Sequence, residues 1–274
     1  MKKLCQFTIA IAIMFALVVS ISHLAFAQKV NIKDGPLKEK DWLTDPAPEL
    51  NEDHSDNKNW ITKWYGPDGN YEVNGGFGAS APKDLIDEGT KGKLTQESLS
   101  TIDGLKLTQT VDVGWDKGHG GPRGWEVFEF DPADSHHMNR DGPGDNIDTY
   151  GIIVIKAPEA MTSVMSPAHD DHAQIWINGE KWYNNSRWTG APLQVDFNVE
   201  IELQKGGNVL LYRCGESGGD AYMNLHFDDK THDAVEIYPD KAKDQKSFFD
   251  EARGALAVDP VGKLATTWAD IKRK

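Results

Sequence analysis

Two stretches of this chain carry side chains suited to meeting a ligand. Residues 182–188 read WYNNSRW, so Trp182, Tyr183 and Trp188 are interleaved with Asn184, Asn185 and Arg187. Aromatic faces stack on the C–H surfaces of sugar rings, while amides and guanidinium groups bond to hydroxyls. Apolar walls with a few placed polar groups make a carbohydrate platform. The same residues also suit a loop packed on a core, because Trp is largely buried on average. The second stretch, residues 131–148, gathers Asp131, Asp134, Asp141, Asp145 and Asp148 with Asn139 and Asn146. Its oxygens suit a hard cation such as Ca²⁺, although EF-hand spacing is absent. A solvated charged loop has the same composition. His136-His137 beside Asp134, and His169 with His172, offer imidazoles. Adjacent histidines rarely converge on one ion, and no H-E-x-x-H or Cys/His zinc spacing occurs.

Enzyme signatures are few. There is no P-loop and no dinucleotide fingerprint. Glycoside hydrolysis needs two carboxylates at a defined separation across a cleft, and the many acids here cannot be paired by sequence. The residues therefore favour a non-catalytic protein. A polysaccharide-acting hydrolase, sited in residues 131–148 or in the glycine-rich residues 114–124, is the enzymatic alternative.

The elements that must position these groups read as strands. Asn178-Gly179 is the strongest hairpin signal, because a type I′ turn needs positive φ at both central positions. It joins a strand over residues 173–177 to a return strand carrying Trp182, and Trp176 is ambiguous between core and surface. Alternation puts Val195, Phe197, Val199, Ile201 and Leu203 on one face. Ala221, Met223, Leu225 and Phe227 face in, with Tyr222, Asn224 and His226 facing out. The run Ile152-Ile153-Val154-Ile155 reads as a fully buried strand, and residues 208–214 as another. Residues 60–65 and 125–130 read as further strands, and residues 105–113 as a half-buried strand with Leu105, Leu107, Val111 and Val113 inward. Residues 74–93 read as a long glycine-rich loop. Short strands with Gly/Asn turns predict an all-β antiparallel sandwich, jelly-roll-like, over residues 60–239. Residues 240–274 change character. Phe248, Phe249, Ala252 and Leu256 form one helical stripe, and Leu264, Trp268 and Ile271 a second. They are either a helical cap on the sandwich or a docking tail.

The chain has 274 residues, a net charge of −14 and a pI near 5.0. Residues 1–27 read as a cleaved signal peptide, with Lys2-Lys3, an apolar run and Ala25-Phe26-Ala27. Removing them takes away two lysines and no acid, leaving 247 residues at −16. The apolar run is short for a membrane span, so a secreted, periplasmic or extracellular protein with no span after cleavage is expected. Residues 28–59 read as a flexible acidic linker. So acidic a balance argues against nucleic acid as a partner, since phosphate contacts need clustered Lys and Arg. Cys5 would leave with the leader, and Cys214 alone permits no internal disulfide.

The text TYGIIVIKAP, AHDDHAQIWINGEKW, VDFNVEIELQKGGNVLLYRC and DAYMNLHFDD, between residues 149 and 229, resembles secreted PA14-like and galactose-binding-like jelly-roll modules. It covers about a third of the chain and departs at His172, where such modules often have Gly. The resemblance implies that Asp170 and Asp171 hold a calcium ion that grips sugar hydroxyls. The same pair also suits Asx-type turns that cap backbone N–H groups. The expectation is a secreted, non-catalytic carbohydrate-binding module assisted by calcium. A structural or adhesive module with a cell-surface protein partner is the alternative.

Overall fold

The computed structural model describes residues 30–32, 36–37, 53–54, 59–73, 75–140 and 144–257. The signal segment 1–27, most of the linker, Asp141 and the second tail helix with Leu264, Trp268 and Ile271 lie outside the described residues.

In chain order the strands begin with β1 (Val30–Ile32), β2 (Asp53–His54), β3 (Lys63–Pro67), β4 (Tyr71–Glu72), β5 (Val113–Gly114), β6 (Pro122–Arg123) and β7 (Trp125–Glu129). There follow β8 (Ile147–Ala157), β9 (Met161–His169), β10 (His172–Ile177), β11 (Glu180–Asn185) and β12 (Gln194–Val195). The last are β13 (Asn198–Leu203), β14 (Gly206–Glu216), β15 (Met223–Phe227) and β16 (Glu236–Tyr238). The larger sheet has the order β11-β10-β14-β8-β3-β7, with β4 and β16 also paired to β8. The smaller has the order β1-β13-β9-β15. Pairing is antiparallel throughout except between β1 and β13. The expected all-β sandwich is therefore the fold.

The apolar run in β8 shows why two sheets are not enough. Its side chains alternate between faces, and both faces are dry. Ile153 and Ile155 join Met165, Val199, Ile201 and Leu225 in the core between the sheets. Ile152 and Val154 join a second core under a layer of short helices, with Leu85, Ile86, Leu105 and Phe248. The tail helix Gln245–Glu251 belongs to that layer, and Phe248 stacks on Tyr65 at 4.4 Å.

The helical layer corrects the sequence reading. Residues expected as a loop form helices Phe77–Ser80 and Leu85–Thr90, and the expected strand over residues 105–113 begins as helix Ile102–Leu107. The caps explain this. Asp84 accepts hydrogen bonds from Ile86 N and Asp87 N. Thr95 and Ser98 form a capping box at helix Gln96–Leu99, and Thr101 accepts from Gly104 N. Each satisfies amides that a helix start leaves open. With 3.6 residues per turn, Leu105 is buried while Leu107 is 45% exposed. Strand β9 was not legible, because Ser163, Ser166 and Pro167 interrupt its apolar residues. Tyr222, Asn224 and His226, expected to face solvent, are buried. The tip of the β10–β11 hairpin matches its signal: Asn178 and Gly179 have φ of 54° and 89°. Asn178 Oδ1 accepts from Val209 N at 3.1 Å, and Gly179 N donates to Ser100 Oγ at 3.0 Å, which ties the tip to the helical layer.

Candidate functional site

Asp170 and Asp171 form the corner between β9 and β10, and the peptide joining them is cis. The corner is held by its backbone. Asp170 N donates to Tyr222 O at 3.1 Å, and Asp171 N to Gly215 O at 2.9 Å. Asp171 Oδ2 accepts from Ser217 N at 3.0 Å, which is the turn-stabilising role a short carboxylate plays. The loop after β11 is fastened to the same corner. Thr189 N donates to His169 O at 2.9 Å, and His169 N to Thr189 Oγ1 at 3.0 Å. Trp188, 54% exposed, precedes that clasp. The acidic loop reaches the rim as well: Ser135 Oγ donates to Asp220 Oδ1 at 3.2 Å, and His136 Nε2 lies 3.5 Å from the same oxygen.

Carboxylates crowd this rim. Glu216, the last residue of β14, is fully buried, and the Gly218 backbone is the group that favours its charged form. Burial first, then the charges of Asp171 and Asp145, push its carboxyl up to about 8. Asp170 is pushed up to about 7, by burial first and then by Asp171. Taking a carboxylate out of water and placing it beside others disfavours the charged form. Without a cation these groups therefore hold protons near neutral pH. A hard cation would displace those protons and stabilise the ionised acids. Among the described residues, no three His, Cys, Asp or Glu side chains already converge as a metal-ligand group.

The aromatic loop is divided by the fold. Trp182 and Tyr183, expected on a sugar platform, are 4% and 0% exposed and sit in the core between the sheets. A bulge causes this. Ile175 pairs with Tyr183 and Trp176 with Lys181, so Trp182 is the extra residue, and two consecutive side chains turn to one face. Tyr183 OH lies 2.8 Å from His169 Nε2 and accepts from Asn185 Nδ2 at 3.1 Å. Asn184 and Asn185 are buried too: Asn185 Oδ1 caps Arg187 N at 3.0 Å, and Asn184 Oδ1 accepts from Gln174 Nε2 at 3.2 Å. Arg187 and Trp188 alone of the six stay exposed.

His169 and His137 are packing groups. Burial lowers His169 to about 3 and His137 to about 4, so both are neutral. His137 stacks on Phe130 at 4.2 Å. In the glycine-rich loop, Trp115 is buried and donates to Leu85 O at 2.7 Å. Glu216 and Asp220 escaped the sequence reading; their signal is that Glu216 lies within, and Asp220 directly after, the glycine-rich residues 215–219, GESGG. No protein-family model, no curated protein and no solved structure matches this chain.

Proposed function

We propose that the protein is an exported, non-catalytic module that binds carbohydrate at the rim formed by Asp170, Asp171, Arg187 and Trp188, with calcium at the aspartate corner. The carrying observation is the clasp between Thr189 and His169, which ties the residue after the half-exposed Trp188 to the residue before Asp170. An indole supplies a stacking face, and Arg187 supplies donors for hydroxyls. Bound at Asp170 and Asp171, calcium would supply a Lewis-acidic centre that accepts hydroxyl oxygens. The leader-like residues 1–27 support export.

Retention on a glycan array, with calcium and with chelator, tests the reading. We expect binding to at least one glycan, lost with chelator and weakened about tenfold or more by Trp188→Ala. That variant should change stability by less than about 0.5 kcal/mol, as exposed substitutions do. Failure to bind any glycan under either condition rejects the proposal.

A further inference from the structure

A groove of about 660 Å³ runs along the outer face of the β10–β11 hairpin, beneath the helical layer. That volume is in the range of small-molecule sites, and Phe77, Ala81, Pro82 and Leu37, with an edge of the largely buried Trp176, contribute its apolar lining. We infer that this groove takes a neutral oligosaccharide chain, extending the rim site along the hairpin. The inference rests on the carbohydrate reading and names the ligand as a chain rather than a single terminal ring.

Three observations carry it. First, the groove and the rim are joined. Phe77 N donates to Ser217 Oγ at 3.4 Å, and Ser217 N donates to Asp171 Oδ2 at 3.0 Å, so one residue bridges the groove wall and the aspartate corner. At the other wall, Asn184 and Ser186 line the groove immediately before Arg187 and Trp188. Second, three of the polar groups lining it are amides already held in place. Tyr150 OH donates to Gln96 Oε1 at 2.8 Å. Arg213 NH1 donates to Gln174 Oε1 at 3.2 Å, and Gln174 Nε2 to Asn184 Oδ1. Amides both donate and accept, as hydroxyls do, and their fixed orientation removes part of the ordering cost of binding. Third, the lining charges nearly cancel: Lys83 and Lys181 stand against Asp84, Glu97 and Glu180. Such a lining, one charge to the negative, does not attract an anionic chain, which would seek clustered cations. Strands rise about 3.3 Å per residue, so the hairpin is long enough for several rings in line.

Gly78 makes the test clean. It lines the groove, is exposed, and a Cβ built there meets nothing within 4 Å. Gly78→Trp should therefore plug the groove without disturbing the fold, and Ser186→Arg, also exposed, provides a second plug from the other wall. The experiment is calorimetric titration of the full chain, in calcium, with neutral β-1,4-linked glucose, mannose, xylose and N-acetylglucosamine oligomers of one to six rings, and with polygalacturonate oligomers. We expect affinity for one neutral series to climb about tenfold or more with length, a gain of about 1.4 kcal/mol. Both plugs should remove that gain and leave single-ring binding unchanged. A six-ring oligomer bound no more tightly than one ring, or bound equally well by the plugged variants, overturns the groove and leaves the rim reading standing. Preference for polygalacturonate overturns the neutral-chain assignment. Absence of binding to every sugar overturns the groove together with the reading it rests on.

Discussion

Two carboxylates end up buried on neighbouring strands, one residue of register apart, and they are treated differently. Asp148 of β8 pairs with Gly215 of β14 in the ladder, and Glu216 is the next residue of β14, opposite Ile147. Asp148 is fully buried and has a built-in counter-charge, with Arg213 Nε 2.9 Å from its Oδ1. Arg213 also donates to Lys83 O, Ser80 O and Gln174 Oε1, so this pair bolts the helical layer to the sheet. Glu216 is equally buried, but the charged groups around it are other acids. The contrast separates a charge that belongs to the frame from an acid that stands without a counter-charge. A buried carboxylate is tolerated when it is paired or protonated, and these two use the two solutions.

The largest effect should come from breaking the framed pair. Arg213→Leu leaves Asp148 buried and uncompensated, and such losses cost about 3–5 kcal/mol. Urea unfolding should show a drop of that size that calcium does not restore; a change below about 1 kcal/mol would mean the pair does not hold the layers together.

The next effect sharpens the other side. Calcium at about one hundred times its Kd should raise stability by about 2.7 kcal/mol, through preferential binding to the folded state. Asp170→Ala combined with Asp171→Ala should erase that shift in a melting experiment. An unchanged melting curve for the natural chain with and without calcium would remove the ion from the proposal.

A further effect is a pH dependence. Glu216 and Asp170 have folded values raised to about 8 and about 7, from ordinary values of 4.5 and 3.8. Between those limits the folded protein holds more protons than the unfolded chain. Stability of the metal-free protein is therefore greatest below about pH 4 as far as these groups go, and is lost as pH rises toward 8. His169 and His137 act oppositely. Their values fall from 6.5 to about 3 and about 4, so their contribution is present above pH 6.5 and lost as pH falls. Glu216→Gln should flatten the alkaline side of the metal-free melting profile and leave the acid side alone. An alkaline limb identical to that of the natural chain would show that Glu216 is not the titrating group.

How far the sequence revealed this arrangement depended on where each signal sits. The Asn178-Gly179 turn and the alternation at Val199, Ile201 and Leu203 are local, and they read correctly. Leu105, Leu107, Val111 and Val113 fit a period of two by coincidence. The decisive information was in Asp84, Thr95 and Thr101, which start helices by capping them. Trp182 and Tyr183 have the types of a binding platform, but a one-residue bulge, invisible in the text, turned both inward. Asp170 and Asp171 were legible as a corner. Glu216 was not, because its isolation among acids arises only when β14 brings it beside β8 and the β9–β10 turn.

The hydrogen bond from Gly179 to Ser100 reaches beyond the turn it trims. It links the far end of the hairpin to the helical cover, while Arg213 makes the corresponding link nearer the rim. Fastened at two separated points, sheet and cover have no low-energy route to part company, and heat should release them in one cooperative step rather than layer by layer. A visitor at the rim then meets a surface whose backing is as firm as the interior itself.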